Sequence, residues 1–223
     1  KVQGLDYYYT LQGWIKGVNA PDLPASADPG GDAWQDAGNL HRDFAEDQSA
    51  YSLAYYELDY APIDVNLQEG VLARNFWSEF GGYSLQNDGV NGLFNGNIAA
   101  MFTDLPLFDT PNRSGLNLMA YRYDQLHRIR DAVSFYKSGE TTNGGRTEFN
   151  LTLDNRHNSS YRYDPNGNLK MLRREALAND GNTVAAIDNL TYHYYTDPNN
   201  PEQHFPNRLE RITEPALTDP HFT

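Results

Sequence analysis

The stretch from Asp164 to Glu175 has the spacing of a calcium-binding loop. Asp164, Asn166 and Asn168 occupy alternate positions, and Glu175 stands at the twelfth position, where an EF-hand loop places its bidentate carboxylate. The sixth position is Leu169, whereas the sharp turn of that loop requires glycine. The sequence DPNG at the start of the stretch is typical of a tight hairpin turn. We therefore predict a turn here and no calcium site.

A second polar cluster, in NLHRDFAEDQSAY, holds four side chains of metal-ligating types: His41, Asp43, Glu46 and Asp47. A metal site needs ligands that converge on one point with supporting hydrogen bonds, and spacing along the chain does not show this. Acidic residues in a polar connector are mostly exposed to solvent. We predict no metal site here. The surrounding segment, Gly38 to Tyr51, is the best helix candidate of the chain, with a loop as the equal alternative.

The sequence lacks the common motifs of nucleophilic, metal-dependent and phosphate-binding enzymes. It contains no GxSxG elbow, no HExxH pair and no phosphate-cradling glycine loop. No spacing among its 30 acidic residues singles out a carboxylate pair for glycoside hydrolysis, and its 6 histidines are scattered. We therefore predict a protein that is not an enzyme and that carries no cofactor and no metal.

The composition limits the partners of the chain. Its 223 residues carry a formal net charge of -13, which disfavours nucleic acids and anionic membranes because both require a basic surface. No apolar run approaches the roughly 18 residues of a membrane-spanning helix. The absence of cysteine excludes a disulfide scaffold. Tyrosine, with 16 residues against 10 Phe and 3 Trp, favours sheets with one wet face, because its apolar ring ends in a hydroxyl group.

Alternating tyrosines predict an all-β fold of stacked antiparallel hairpins. Tyr pairs at i and i+2 recur along the chain, and NGN, TNGGR, DPNGN and NDG separate the strand-like runs. Asn-Gly and Asp-Gly supply the positive φ that tight hairpin turns require. The alternating sets are Tyr7 and Tyr9; Tyr51, Leu53 and Tyr55; Tyr121 and Tyr123; Tyr161 and Tyr163; and Tyr192 and Tyr194.

The tetrapeptide YRYD occurs twice and defines a degenerate repeat. In each copy a tyrosine precedes Asp or Thr, a turn residue follows at +3 and an aliphatic residue at +5. The repeat-defining positions are Tyr9, Gly13 and Ile15 after Thr10; Tyr121, Tyr123, Asp124 and Ile129; and Tyr161, Tyr163, Asp164, Gly167 and Leu169. Asn95 to Phe102 and Asn207 to Ile212 are interpreted as further turn-plus-strand halves.

The repeat has a direct physical interpretation. The strand ends at tyrosine, and the Asp side chain bonds the backbone of the turn that follows. Glycine takes the left-handed position of the turn, so His127 in that position predicts a different turn conformation in its copy. Each hairpin leaves open edges that a neighbouring hairpin must cover, so the units are expected to stack.

These motifs resemble the RHS/YD-repeat family, whose pattern is roughly Y-x-Y-D-x-x-G-R-L. YRYDPNGNL has Asn168 at the Arg position, and YRYDQLHRI has Arg128 there. The ordered stretches YYYTLQGWIKGVNAP, YSLAYYELDYAPI, FNGNIAAM and YRYDQLHRI resemble RHS proteins of the Bacteroidetes type, and the resemblance covers nearly the whole chain. It implies that residues 1–223 form one segment, with an irregular insertion at about 20–50, from the middle portion of a sheet that spirals into a hollow shell.

The resemblance also implies a function and a location. Such shells enclose or present a C-terminal toxin or effector domain of the same polypeptide, so we expect a non-catalytic structural segment of a large exported bacterial protein, secreted or at the cell surface. Its partners would be other repeats, that effector domain, secretion machinery or glycans. Asp219-Pro220 lacks the glycine and downstream signature of the family's self-cleaving segment, so cleavage is not assigned to it.

A carbohydrate-binding or adhesion module is the alternative. Exposed tyrosine faces stack on sugar rings and mark binding surfaces, although tyrosine pairs are also ordinary stabilisers of sheets. The tyrosines occupy repeat positions rather than variable loops, which favours the structural role. Four N-glycosylation sequons, at Asn112, Asn150, Asn158 and Asn189, are expected in a chain so rich in Asn and need not be modified.

Overall fold

A computed structural model describes residues 4–19, 49–56, 59, 90, 92–105, 116–143, 146–178, 183–196, 199 and 204–215. Within these ranges the chain forms strands and turns and no helix, so the all-β prediction is confirmed. Residues 38–48 of the helix candidate lie outside the described ranges, and its last residues, from Ala50, belong to a strand. Most of the insertion predicted at about 20–50 also lies outside them.

The described residues form eleven strands. They are β1 Tyr7–Tyr9, β2 Ile15–Val18, β3 Ala50–Ala54, β4 Ala100–Asp104, β5 Asn117–Tyr123, β6 Ile129–Asn143, β7 Arg146–Leu153, β8 Ser159–Tyr163, β9 Leu169–Leu177, β10 Val184–Thr196 and β11 His204–Thr213. Asn207 to Ile212 was predicted as a turn plus a strand. This is wrong, because β11 already begins at His204 and the whole stretch is strand.

The hydrogen-bonded strand order is β1-β2-β3-β4-β5-β6-β8-β9-β10-β11, and β7 also pairs with β6. Neighbouring strands are antiparallel, as short hairpin connections require. Both β7 and β8 pair with β6, since Phe135 lies opposite Leu153 while Asp131 lies opposite Ser160. β6 therefore pairs with β8 near its start and with β7 along the rest of its length, and the turn between β7 and β8 lies where one partner gives way to the other.

The chain divides into two compact units, and strands β5 and β6 contribute to both. The first unit comprises 1–120 and 135–153, and the second comprises 121–134 and 154–223. The first unit contains most of the buried apolar side chains of the described residues. They include Val18, Leu53, Ala54, Val90, Ala100, Phe102, Leu116, Leu118 and Phe135. This unit has a packed core.

The second unit is a sheet with two chemically different faces. Cross-strand partners share a face, and adjacent residues of one strand lie on opposite faces. Tyr161, Leu172 and Leu190 are paired across β8, β9 and β10 and form an apolar row on one face, next to the ion pair of Arg174 with Asp188. The neighbouring row, Asp131, Ser160, Arg173 and Asn189, makes the other face polar. Most side chains of this unit are half-buried.

In the part of the chain that the structure describes, no helix has the length and apolar character to span a membrane.

Candidate functional site

Three turns with the same backbone geometry lie at the predicted repeat positions. They open at Thr10, Asp124 and Asp164, whose N–H groups donate to the carbonyl four residues later at 2.8, 2.9 and 2.9 Å. The residue at +3 donates back to the opening carbonyl at 2.9, 3.0 and 3.0 Å. In all three turns the +3 residue has positive φ: 84° at Gly13, 60° at His127 and 90° at Gly167.

The prediction that His127 changes its turn is wrong. Its turn makes the same two backbone hydrogen bonds as the glycine-containing turns, and His127 takes the left-handed conformation itself. Histidine is among the residues that tolerate this region better than most. The hydrogen bonds around the turn fix the conformation, so the backbone pattern is kept at the expense of local strain.

The opening aspartates bond their own turns. Asp124 Oδ1 accepts from the N–H groups of Leu126 and Arg128 at 2.8 and 3.0 Å, and Asp164 Oδ1 accepts from the Asn168 N–H at 2.8 Å. The second carboxylate oxygen accepts from the +4 side chain, Arg128 Nε at 2.7 Å and Asn168 Nδ2 at 2.9 Å. A neutral counterpart exists at Thr10, whose Oγ1 accepts from the Trp14 N–H at 3.2 Å.

These hydrogen bonds hold both carboxyl groups in the ionised form. Partial desolvation raises the pKa of Asp124, but the hydrogen bonds from Arg128 and Leu126 outweigh it, so the pKa lies below its usual value. At Asp164, too, desolvation raises the pKa and the hydrogen bonds from Asn168 and Asn166 outweigh it, so the pKa is lowered. Carboxylates kept ionised and saturated with internal donors are poor general acids.

The strand that follows each of the three turns accepts a hydrogen bond from a tyrosine hydroxyl of a neighbouring strand. In the second unit, Tyr163 donates to the Ile129 carbonyl at 2.9 Å, and Tyr194 donates to the Leu169 carbonyl at 3.0 Å. In the first unit, Tyr55 donates to the Ile15 carbonyl at 2.7 Å. The acceptors are the three aliphatic positions at +5 of the repeat. We call these three bonds the tyrosine links.

Tyr55 and Tyr194 were absent from the predicted repeat positions. Both belong to alternating tyrosine pairs that the sequence analysis identified, so this signal was available. Their role could not be assigned because Asp does not follow either residue directly: Tyr56 follows the first and Tyr195 the second. The link depends on the hydroxyl and not on the Tyr-Asp dipeptide.

The side chain at +4 of the turn contacts the next turn as well. Arg128 Nη1 donates to the Asp164 carbonyl at 3.3 Å, and its guanidinium carbon lies 4.5 Å from the centre of the Tyr163 ring. In the first unit Trp14 stands at this position. Its ring centre is 5.0 Å from that of Tyr55, and it packs against Gly96, where a Cβ would come within 3.3 Å of the indole. The +4 side chain therefore covers the neighbouring turn in both units.

The remaining predicted tyrosines differ in environment. Tyr121, Tyr123 and Tyr161 are half-buried. Burial, followed by the nearby Tyr121 hydroxyl, raises the pKa of Tyr123 to about 12. Tyr9 is not brought to another turn. It is 53% exposed, and its ring stacks with that of Tyr7 at a centroid distance of 6.5 Å.

The calcium-like residues do not converge. Asp164 and Asn168 are bonded to each other within the turn, whereas Glu175 lies on β9 and pairs with Arg173 Nη2 at 3.0 Å. In the described ranges no group of three or more His, Asp or Glu side chains could hold a metal ion. The cluster at His41 to Asp47 lies outside the described residues.

A buried ion pair in the first unit was not predicted from the sequence. Lys16 Nζ lies 2.7 Å from Asp59 Oδ1, and the two side chains are 0% and 5% exposed. Asp59 Oδ2 also accepts from the Tyr55 N–H at 2.8 Å. Burial lowers the pKa of Lys16, and the charge and hydrogen bond of Asp59 oppose that effect. The pair ties residue 59 to β2 and to the strand end that carries a tyrosine link.

A pocket of about 280 Å³ opens in the second unit, and it too was not predicted from the sequence. Its charged lining consists of Arg122, Asp131, Arg173 and Glu175, and Ser160 lies between them on β8.

No protein-family model matches this chain, and no curated protein matches it either.

Proposed function

We propose that this chain is a non-catalytic structural segment of a large exported bacterial protein of the RHS/YD-repeat type. In this proposal the sheet forms part of a spiralling shell that encloses or presents a C-terminal toxin or effector domain of the same polypeptide. The observation that carries it is the pair of tyrosine links in the second unit, together with the equivalent link in the first.

The links favour a stacked array, because each hydroxyl bonds the backbone of the strand beside its own. Tyr163 ends the hairpin strand β8 and donates to β6, while Tyr194 on β10 donates to β9. The hairpin of β8 and β9 alone would leave the Tyr163 hydroxyl without its acceptor on β6. Stability of such a chain is expected to grow with each added neighbour, as in other repeat proteins.

The polar groups of the turns also support a structural role. The carboxylates of Asp124 and Asp164 are saturated by donors of their own turns. An acid-base catalyst requires a pKa near the working pH, whereas the pKa values of Asp124 and Asp164 are lowered, away from neutral pH. The turns are built to hold their shape rather than to exchange protons.

The natural polypeptide that contains this segment provides the test. Its intact mass is measured after purification, and light protease digestion follows. A C-terminal piece that is severed yet protected and co-purified supports the shell. An uncut chain whose end is digested as fast as an unfolded control contradicts it.

A carbohydrate-binding module is the second candidate, favoured by the exposed ring pair on β1. Tyr7 and Tyr9 are 51% and 53% exposed, and their rings are inclined by only 21°. Exposed aromatic faces of this kind can stack on sugar rings. Saturable binding to a polysaccharide, lost in Tyr7→Ala with Tyr9→Ala but kept in Phe94→Ala, would support this candidate. Phe94 is a suitable control because it is also exposed, at 79%.

A further inference from the structure

The buried ion pair of the first unit brings an amine and a carboxyl group into contact away from water. Lys16 Nζ lies 2.7 Å from Asp59 Oδ1, and the two side chains are 0% and 5% exposed. Taking two charges out of water has a desolvation cost that their mutual attraction does not always offset. A reaction between the two groups that removes both charges would also remove this cost.

Both members of the pair are held in place by backbone hydrogen bonds. The carbonyl of Ile15, next to Lys16 on β2, accepts from the Tyr55 hydroxyl at 2.7 Å. The Asp59 N–H donates to the Tyr56 carbonyl at 3.3 Å, and Asp59 Oδ2 accepts from the Tyr55 N–H at 2.8 Å. Fixing two reacting groups in contact gives them effective concentrations of up to about 10⁵ to 10⁸ M. Such concentrations favour condensation of an amine with a carboxyl group, which does not occur between free molecules in dilute solution.

The two oxygens of the Asp59 carboxyl group have different partners. Oδ1 contacts the amine of Lys16, whereas Oδ2 accepts from the Tyr55 N–H. A backbone N–H aimed at a carboxyl oxygen stabilises the negative charge that this oxygen gains when a nucleophile attacks the carbon. Burial lowers the pKa of Lys16, although the charge and the hydrogen bond of Asp59 act in the opposite direction. Burial therefore favours the neutral amine, which is the nucleophilic form of lysine.

We propose that Lys16 and Asp59 condense to form an intramolecular isopeptide bond. The Lys16 ammonium group transfers a proton to Oδ1, and Nζ then attacks Cγ. The bond between Cγ and Oδ1 breaks, and Oδ1 leaves as water with two of the three ammonium protons, while the third stays on the new amide nitrogen. Oδ2 becomes the amide carbonyl oxygen and keeps its bond from Tyr55. The step consumes no further reactant, and burial protects the product from hydrolysis.

The bond would join residue 59 to β2 covalently. It requires only groups of the first unit, so it is independent of the proposed shell function. It would be a structural cross-link made once in each chain and not a turnover activity.

The test is peptide mapping of the natural polypeptide that contains this segment. It is purified in the folded state, denatured and digested with trypsin, which cleaves after Lys and Arg. Without the bond, trypsin releases the separate peptides 2–16, 17–42 and 43–74. With the bond, cleavage after Lys16 is blocked, and most chains give a branched peptide of 2–42 and 43–74, about 18 Da lighter than the sum of its two parts because one water is lost. Release of peptide 163–170 checks that cleavage after Lys170 is complete.

Two lysine variants give a matched comparison. Lys16→Arg keeps a positive charge beside Asp59, but a guanidinium group stays protonated and does not attack, so the branched peptide should be absent. Lys170→Arg changes an exposed lysine on β9 and should leave the branched peptide unchanged. The digest of the unaltered protein decides the question even where a variant fails to fold. Separate peptides 2–16 and 43–74 at full mass, or a loss of water confined to one unbranched peptide, would overturn the proposal.

Discussion

Replacing Arg128 by asparagine is expected to destabilise the protein by about 1 to 2 kcal/mol. Asparagine is the residue at the equivalent position, 168, of the next turn, where its Nδ2 bonds the opening aspartate. Arg128→Asn therefore keeps the bond within the turn and removes the two contacts with the neighbouring hairpin, namely the bond to the Asp164 carbonyl and the contact with the Tyr163 ring.

The magnitude follows from those contacts. The guanidinium lies 4.5 Å from the Tyr163 ring centre, a cation–π contact that contributes about 0.5 to 1 kcal/mol where it is partly exposed. The 3.3 Å bond to the Asp164 carbonyl is long, and we assign it about 0.5 kcal/mol. Replacing the ion pair with Asp124 by a neutral bond costs about 0.3 to 0.5 kcal/mol, because both side chains are partly exposed, at 27% and 21%.

Urea unfolding followed by circular dichroism measures the loss. In thermal unfolding of a chain of this size, the same loss of 1 to 2 kcal/mol corresponds to a decrease in Tm of about 2 to 8 °C. Arg130→Asn is the control, since Arg130 is half-exposed and pairs with Asp131 next to it in sequence. A double-mutant cycle of Arg128→Asn with Tyr163→Leu should give a coupling of about 0.5 to 1 kcal/mol. Equal losses in the two arginine variants, or a coupling of zero, would refute the bridging role.

Three further predictions concern single groups. Gly13→Ala should lower the free energy of unfolding in urea by about 1 kcal/mol, because alanine is strained at the φ of +84°. No atom lies within 4 Å of the added Cβ, so this backbone strain is the only cost. An unchanged midpoint would show that this backbone conformation is not required. Tyr123 should ionise near its raised pKa of about 12, so the stability it contributes is complete below pH 10 and lost as the pH rises from about 10 to 12. Absorbance titration of the protein and of Tyr123→Phe measures this, and a difference centred near pH 10 contradicts it. Asn158→Ala should cost about 1 to 3 kcal/mol because it removes the acceptor of the Ser134 N–H, and intact mass from a glycosylating host should show no sugar at this sequon, whose side chain is held by internal bonds.

Local sequence determined the elements of this fold. Alternating tyrosines and the turns at Asp124 and Asp164 act over a few residues, so hairpins and an all-β architecture were predictable from residue types alone. The opening aspartates were assigned to the turns for the same reason, since their partners are at most four residues away. His127 was the exception, because the hydrogen bonds of the turn outweigh its own backbone preference.

Contacts between distant residues were decided by tertiary structure. The link from Tyr163 to Ile129 spans 34 residues, and the ion pair of Lys16 with Asp59 spans 43. Both depend on which strands are neighbours and on the register between them, which shifts at bulges such as that between Arg162 and Tyr163. A shift of one residue in an antiparallel pair moves every side chain to the opposite face. The sequence therefore determined the hairpins. Only strand register decided which tyrosine reaches which carbonyl and which arginines line the pocket of the second unit.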